Sequence, residues 1–410
     1  MRWNNPQWWR RVQYGAVVAF AVGLPIGKLL AEASLVIGLL AWGVRILLER
    51  RRPLIPKSPL NVLLLLWFIA ALCSLYNSID AAASLKGLWK LLKYFALYLL
   101  VVESVDSRTS LRGVVNGCLF GLSLLVADGL WQAAFGRDLF YGKAPHFFED
   151  ARRIIATFDH PASLSIHLVS FCPLACAAGL VGRNRRWRSS LLGLTALATA
   201  VQLLTLTRGG LLGFLGSMAV LAYWLRHWAP AALAALAAWV QVATVPPAVK
   251  AWSATMPTLL EKLTQPERLM YWQAAVNMVK AHPVIGVGVN TFVKAYPSYR
   301  IPGDQYGEIG PYAHNQYLHM TAELGFVGLT IFLALLARLL LAVRRTVERR
   351  TAAPDEAVVS AGLGAGLVGY LIVGALESSL FYGRASMTFW LLAGLIVAAD
   401  ALSRRNATHH

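Results

Sequence analysis

Charged residues are scarce: Asp, Glu, Lys and Arg make up 14% of the 410-residue chain, against about 25% in soluble globular domains. The shortage is greatest among acids, 20 against 38 basic residues, which leaves a net charge of +18. Cysteine is limited to Cys73, Cys118, Cys172 and Cys176, all inside apolar stretches, so no disulfide framework is implied. Cys172 and Cys176 share a helical face, but two thiols alone suit packing better than metal binding. No glycine-rich Walker loop is present, which argues against nucleotide hydrolysis. Carboxylates with metal-ligand spacing are missing from the long loops, since Glu149 and Asp150 are adjacent and point apart on a regular element. No Ser/His/Asp grouping is evident there either. Together these absences favour chemistry that needs neither cofactor nor metal.

What the chain has in quantity is apolar surface. Hydrophobic residues form 57% of it and the mean hydropathy is +0.54, which excludes a disordered chain and a soluble enzyme. Spent on spans of about 20 residues, that fraction allows at most about twelve crossings. Apolar runs occur at 12–30, 35–48, 60–75, 85–102, 114–135, 161–180, 190–206, 209–225, 231–245, 317–343, 358–375 and 386–402. The first, preceded by Arg2, Arg10 and Arg11, lacks a small-residue cleavage site and reads as a span rather than a signal peptide. The expected fold is an all-α polytopic membrane protein of about twelve transmembrane helices.

A charge of +18 on a soluble protein would suggest nucleic acid. Here the excess sits in short arginine clusters between apolar runs, as in cytoplasmic loops. With both termini in the cytoplasm, one topology places Arg50, Arg51, Arg52 and Lys57, then Arg108 and Arg112, Arg183, Arg185, Arg186 and Arg188, Arg226, Arg344, Arg345, Arg349 and Arg350, and Arg404 and Arg405 on that side. The opposite side receives two long segments, 136–160 and 246–313. The chain divides into 1–245 with nine spans, the loop 246–313, and 314–410 with three spans and a tail. Loops as long as 246–313 are usually functional or disordered. Trp252, Met256, Leu259, Leu260, Leu263, Leu269, Tyr271, Trp272, Ala275, Val276 and Val279 recur at helical spacing, so amphipathic helices that cover the bundle as a lid are expected.

The informative cations are those that break the positive-inside pattern. Arg208, in Thr205-Leu206-Thr207-Arg208-Gly209-Gly210, stands between two runs whose far ends are cytoplasmic, where an unpaired charge is costly. A helix N-terminus after it, with glycines that let backbone N–H groups approach, reads as an anion ligand. Arg268 follows Pro266 at the start of a loop helix. Arg152 and Arg153 precede His160 in the earlier outer loop, and Lys86, Lys90 and Lys93 lie near one face of the fourth span. Arginines and lysines drawn from separate segments suit a diphosphate, whose oxygens guanidinium groups bind bidentately. His314, in Tyr312-Ala313-His314-Asn315-Gln316, is the candidate general base. His319 points to another helix face.

The arginine-glycine turn at 205–211, Arg268 with Trp272, Pro283-Val284-Ile285-Gly286-Val287-Gly288, and His314-Asn315-Gln316-Tyr317-Leu318 with Glu323-Leu324-Gly325 resemble the bacterial O-antigen ligase and polymerase superfamily. The 153–161 segment is similar to that family's outer loop. The resemblance implies a GT-C-like glycosyltransferase of the bacterial inner membrane that acts at its periplasmic face. The implied partners are an undecaprenyl-diphosphate-linked O-antigen as donor, lipid A-core as acceptor and membrane lipids, with no nucleotide and no nucleic acid. It implies catalytic roles for Arg208, Arg268 and His314: the two arginines hold the diphosphate and the histidine helps deprotonate the acceptor hydroxyl in a single inverting displacement. Arg152, Arg153, Lys86, Lys90, His160, Tyr312 and Asn315 are the expected substrate contacts. An O-antigen polymerase, a protein O-oligosaccharyltransferase and, outside enzymes, a lipid-linked saccharide flippase are the alternatives.

Overall fold

A computed structural model of the chain describes residues 5–50, 55–148, 151–182, 184–244, 246–254, 266–303 and 312–407. The helices are α1 Pro6–Ile26, α2 Lys28–Glu49, α3 Asn61–Cys73, α4 Ala81–Ser104, α5 Arg108–Phe135, α6 Pro161–Val181, α7 Arg185–Leu204, α8 Arg208–Leu225, α9 Ala229–Thr244, α10 Pro247–Ala254, α11 Pro266–Ala281, α12 Phe292–Tyr299, α13 Gln316–Glu348, α14 Pro354–Gly374 and α15 Gly383–Ala407. Each apolar run of the sequence is thus helical, the run 12–30 being divided at Gly27 between α1 and α2. Among the described residues, seven (α2, α5, α6, α8, α13, α14 and α15) are long and apolar enough to cross a membrane, and α3 and α9 fall in shorter apolar helices. The other three long helices are diluted by charge: Arg10 and Arg11 in α1, Lys86, Lys90 and Lys93 in α4, and Arg185, Arg186 and Arg188 in α7.

Helices α6 and α15 are the most enclosed, as expected for helices that are apolar all round. Lipid offers no hydrophobic drive for helix association, so close approach of backbones through small residues has to supply contact. Helix α14 does this: a Cβ on Gly366 would meet the Ser170 carbonyl of α6, and one on Gly369 would meet that of Gly213 of α8 at 2.9 Å. Trp390 of α15 fills the centre against Phe95 at 5.1 Å, Phe389 at 5.2 Å and Trp67 at 5.9 Å between ring centroids.

Two features depart from the expected all-α layout. The earlier outer loop carries a small antiparallel hairpin, β1 His146–Phe148 paired with β2 Ala151–Arg153. Segments of three residues are too short to leave a readable period in the sequence. Its far side is anchored to the bundle, where Ile154 N–H donates to the Leu204 carbonyl at 3.1 Å. The second departure lies in α13. The run 317–343 reads as one uninterrupted span, but Gly325 has φ 64° and ψ −172°, so the helix is broken there.

That break is filled by the late loop. Val287 and Gly288 N–H donate to the carbonyls of Ala322 and Glu323, at 2.9 and 3.1 Å, while Phe326 and Val327 N–H donate to those of Pro283 and Val284, at 2.8 and 3.3 Å. Irregular backbone at membrane depth persists only where protein satisfies it. Glycine is required on both sides: a Cβ on Gly325 would stand 2.1 Å from the Val284 carbonyl oxygen, and one on Gly286 (φ 71°) would stand 2.3 Å from the Glu323 carbonyl carbon. The Glu323 carboxylate then accepts from the N–H groups of Asn290 at 2.7 Å and Phe292 at 2.9 Å, anchoring α12. Above this junction the late loop has a core of its own, in which Tyr271, Ala274, Ala275 and Met278 of α11 pack with Phe292, Ala295 and Tyr296 of α12. The expected amphipathic helices include Met256, Leu259, Leu260 and Leu263, which lie outside the described residues, as do Glu149 and Asp150.

Candidate active site

The ends of α5, α7 and α14 and the starts of α6, α8, α13 and α15 meet at the end of the bundle that carries the long loops. Three non-glycine residues in the segments joining them have left-handed backbone: Ala156 (φ 49°), Leu206 (φ 49°) and His314 (φ 45°). Such conformations cost on the order of 1–3 kcal/mol each and persist where surroundings over-determine them. At Ala156 the cause is visible. The side-chain carbonyl of Gln132, at the end of α5, accepts from Ile155 and Ala156 N–H, both at 2.9 Å.

Glu377, between α14 and α15, is the centre of the cluster. Its Oε1 accepts from Arg268 Nη2 at 2.8 Å, and its Oε2 lies 3.0 Å from His314 Nδ1. A carboxylate only accepts, so Nδ1 carries the hydrogen of a neutral His314 and Nε2 keeps its lone pair. Arg268 Nη1 also donates to the Leu376 carbonyl at 2.6 Å, which fixes the guanidinium in place. Burial pushes the Glu377 carboxyl up, but Arg268, His314 and His160 outweigh it and hold the group at about 2, below the ordinary 4.5. It is ionised throughout the neutral range.

Arg153 and Arg208 complete a cationic cluster around this carboxylate. Arg153 Nε donates to the Thr205 carbonyl at 3.1 Å, at the turn that leads into Arg208. Burial lowers the Arg153 guanidinium to about 10, Arg268 and Arg208 push the same way, and Glu377 opposes them. It stays charged at neutral pH. Gly209 follows Arg208 and packs on Leu376, where an added Cβ would lie 3.3 Å from the Leu376 Cβ. Gly210 has no room for a Cβ between Ser165, Thr207 and Gln202. Seating the start of α8 against its neighbours is the visible use of these glycines. Among the described residues, Arg153, Arg208 and Arg268 gather near one carboxylate, a charge distribution suited to an anion.

His314 also lines a cavity of about 600 Å³, together with His160, Ser163, Lys28, Tyr141, Lys143, Asp159, Tyr382 and Arg384. His160 caps α6, its Nδ1 accepting from Ala162 N–H at 3.2 Å. A neutral ring therefore presents Nε2–H as a donor. The protein mass on its closed sides, with Arg153, His146 and His314 adding repulsion and Glu377 opposing, pulls the imidazole below its ordinary value. One face remains open to the cavity.

The structure therefore brings Arg153, Arg208, Arg268, His160 and His314 together. It does not bring in the rest. Arg152 donates to the Gln132 carbonyl and stands exposed. Lys90 Nζ donates to Asn290 Oδ1 at 2.9 Å and lines a small separate cavity of about 80 Å³ with Trp67, Glu323 and Trp390. Lys86 is exposed on α4 and lines neither cavity. Asn315 caps α13, its carbonyl accepting from Tyr317 N–H at 3.0 Å and Leu318 N–H at 3.1 Å. Tyr312 packs on Tyr382 and on His319, at 5.6 and 5.7 Å between ring centroids. His319 is buried and bonded to Ser378 Oγ at 3.2 Å.

Sequence reasoning overlooked Glu377 and Arg384. Both were within reach of its own criteria. Glu377 is the lone acid between Glu356 and Asp400, and Arg384 is a cation on the long-loop side, as Arg208 is. The first lay just past the apolar run 358–375 and the second just before 386–402, in a turn too short to draw notice.

Comparison with known proteins converges on the same segments. Residues 192–333, which contain Arg208, Arg268 and His314, match the family described as O-antigen ligase. A Rickettsia conorii protein provisionally named a polysaccharide ligase is 26% identical over 141 residues, 33% of this chain and 31% of that protein. The alignment thus spans about a third of the relative's length. The match agrees with the resemblance read from the motifs: residues 192–333 are similar to the O-antigen ligase family.

Proposed function

We propose that this chain is a membrane glycosyltransferase of the O-antigen ligase and polymerase type, and specifically that it moves a preassembled saccharide from undecaprenyl diphosphate to a sugar hydroxyl of lipid A-core at the periplasmic face of the inner membrane. The observation that carries the reading is the Arg268–Glu377–His314 relay, with Arg153 and Arg208 beside it. The carboxylate holds the imidazole by Nδ1–H and leaves Nε2 to take the acceptor proton; Glu377 then stabilises the imidazolium. The acceptor oxygen attacks the anomeric carbon, the bond to the lipid diphosphate breaks, and the centre inverts in one step. The diphosphate leaves with its negative charge held by Arg153 and Arg208, and Arg268 contributes through the donors that Glu377 and Leu376 do not use. These side chains supply the charge neutralisation, so the step is drawn without metal, nucleotide or cofactor.

In this reading the region 246–313 is a lid that excludes water from the reacting sugars, and about twelve spans place both termini in the cytoplasm. The test is purified protein in lipid with the lipid-linked saccharide and lipid A-core, without nucleotide or metal. Wild type forms a new glycosidic bond. His314→Ala and Glu377→Gln lower kcat by roughly 10²- to 10⁴-fold. Full activity in both variants defeats the assignment, and movement of the donor across the membrane without a new bond favours a flippase.

A further inference from the structure

The large cavity beside the arginine cluster is itself lined by cations. Lys28, Lys143 and Arg384 line it with a single acid, Asp159. Lys143 is built into place. Asp138 Oδ1 gathers the N–H groups of Phe140 at 3.0 Å and Tyr141 at 2.7 Å, which folds the 138–143 turn. The Gln132 amide then donates to the Lys143 carbonyl at 3.0 Å. Lys143 Nζ donates to the Thr157 carbonyl at 3.2 Å, and Arg384 Nη1 donates to the same carbonyl at 3.0 Å. One backbone oxygen therefore holds two cations side by side, an arrangement that repels itself unless an anion lies between.

The acid present fills that role only loosely. Lys143 pairs with Asp159 at 2.6 Å, but the Asp159 side chain is 91% exposed, so the pair is weak and replaceable. Among the described residues the hydrogen-bond partners of Arg384 include no carboxylate, although Asp159 attracts its charge: its Nε donates to the Leu24 carbonyl at 3.2 Å and its Nη2 to the Pro25 carbonyl and, at 3.0 Å, to Thr157 Oγ1. Lys28 stands exposed at the start of α2. Among the described residues, three cations against one loosely held acid leave a surplus of two positive charges in the cavity that His314 also lines. None of Arg153, Arg208 and Arg268 lines this space.

We propose that Lys28, Lys143 and Arg384 form a second anion subsite, distinct from the arginine cluster, which seats a phosphate or carboxylate carried by the acceptor saccharide. The name acceptor rests on the transferase reading; the binding site does not. The arrangement sorts the substrates by charge. The guanidinium cluster takes the diphosphate of the donor, and the lysine wall takes the anionic acceptor and turns one of its hydroxyls toward His314. Asp159 competes for Lys143 and sets a threshold that neutral sugars do not pass.

The experiment measures binding of a deacylated phosphorylated core oligosaccharide to the full-length protein in lipid nanodiscs, beside its phosphatase-treated and carboxyl-reduced forms. Wild type binds the untreated saccharide at least about tenfold more tightly than the form stripped of its anionic group, and the form that loses affinity identifies phosphate or carboxylate as the group read. Lys28→Gln and Lys143→Gln erase that preference, Asp159→Asn sharpens it, and His314→Ala retains it. Equal binding of all forms by wild type overturns the proposal, as does an unchanged preference in both lysine variants. Lysine variants that instead weaken binding of undecaprenyl diphosphate also overturn it, since the wall then belongs to the donor. A preserved preference in a protein that forms no glycosidic bond leaves the subsite standing and removes the transferase reading.

Discussion

With its Nδ1–H committed to Glu377, His314 has one nitrogen left for chemistry, and the carboxylate that orients it also restrains Arg268. The pairing has a consequence for stability. The Glu377 carboxyl is held at about 2 in the folded protein against an ordinary 4.5, so its contribution is complete above about pH 5 and is lost as pH falls from 4.5 toward 2. Thermal unfolding in detergent should show the wild-type midpoint dropping over this window and Glu377→Gln staying comparatively flat; parallel curves count against the relay. At Arg208 a planar fork is at stake rather than charge alone, so Arg208→Lys is expected to lose at least about tenfold in kcat/KM, close to Arg208→Ala. Full rescue by lysine shows that a point charge suffices. The candidate residues Arg208, Arg268 and His314 stand out in the sequence because each breaks a regularity: a cation away from the arginine clusters, or an imidazole where a loop turns into an apolar run. Lys86 and Lys90 obey the same rule, yet α4 aims Lys90 at Asn290, and no sequence pattern fixes the rotation of one helix about its axis.

At the scale of elements, every apolar run became helical because twenty apolar residues have few other ways to satisfy their backbone in lipid. What the pattern did not show was the interruption at Gly325. Its immediate neighbours, Leu324 and Phe326, are apolar, and the docking of residues 283–288 explains the left-handed conformation. Both motifs stand out in the sequence, but nothing in it shows that they touch. Gly325→Ala is expected to strain this junction by on the order of 1–3 kcal/mol, before the clash with the Val284 carbonyl is counted. Limited proteolysis should then cut within residues 246–313 several times faster than in wild type, while the bundle stays intact. An unchanged digestion pattern would show that the loop is held by other contacts.

For the whole molecule the two ends of the bundle differ in their electrostatics. The long-loop end gathers guanidiniums around one carboxylate. The opposite end ties helices together with paired charges: Arg108 with Glu356 at 2.6 Å, Arg45 with Glu103, and Arg349 with Asp400 at 3.2 Å. The proposed orientation is testable with thiol reagents that do not cross membranes. In a Cys73→Ser background, which removes the exposed native thiol, Tyr141→Cys should react from the periplasm and Arg350→Cys only after the inner membrane is opened. The reverse pattern inverts the topology and removes the periplasmic assignment. The broken helix also limits how relatives of this protein can be recombined. Four main-chain groups of α13 pair with residues 283–288, so a chimera that swaps the late loop alone would strand them. The hexapeptide and its matching helical notch have to be transplanted as one cassette.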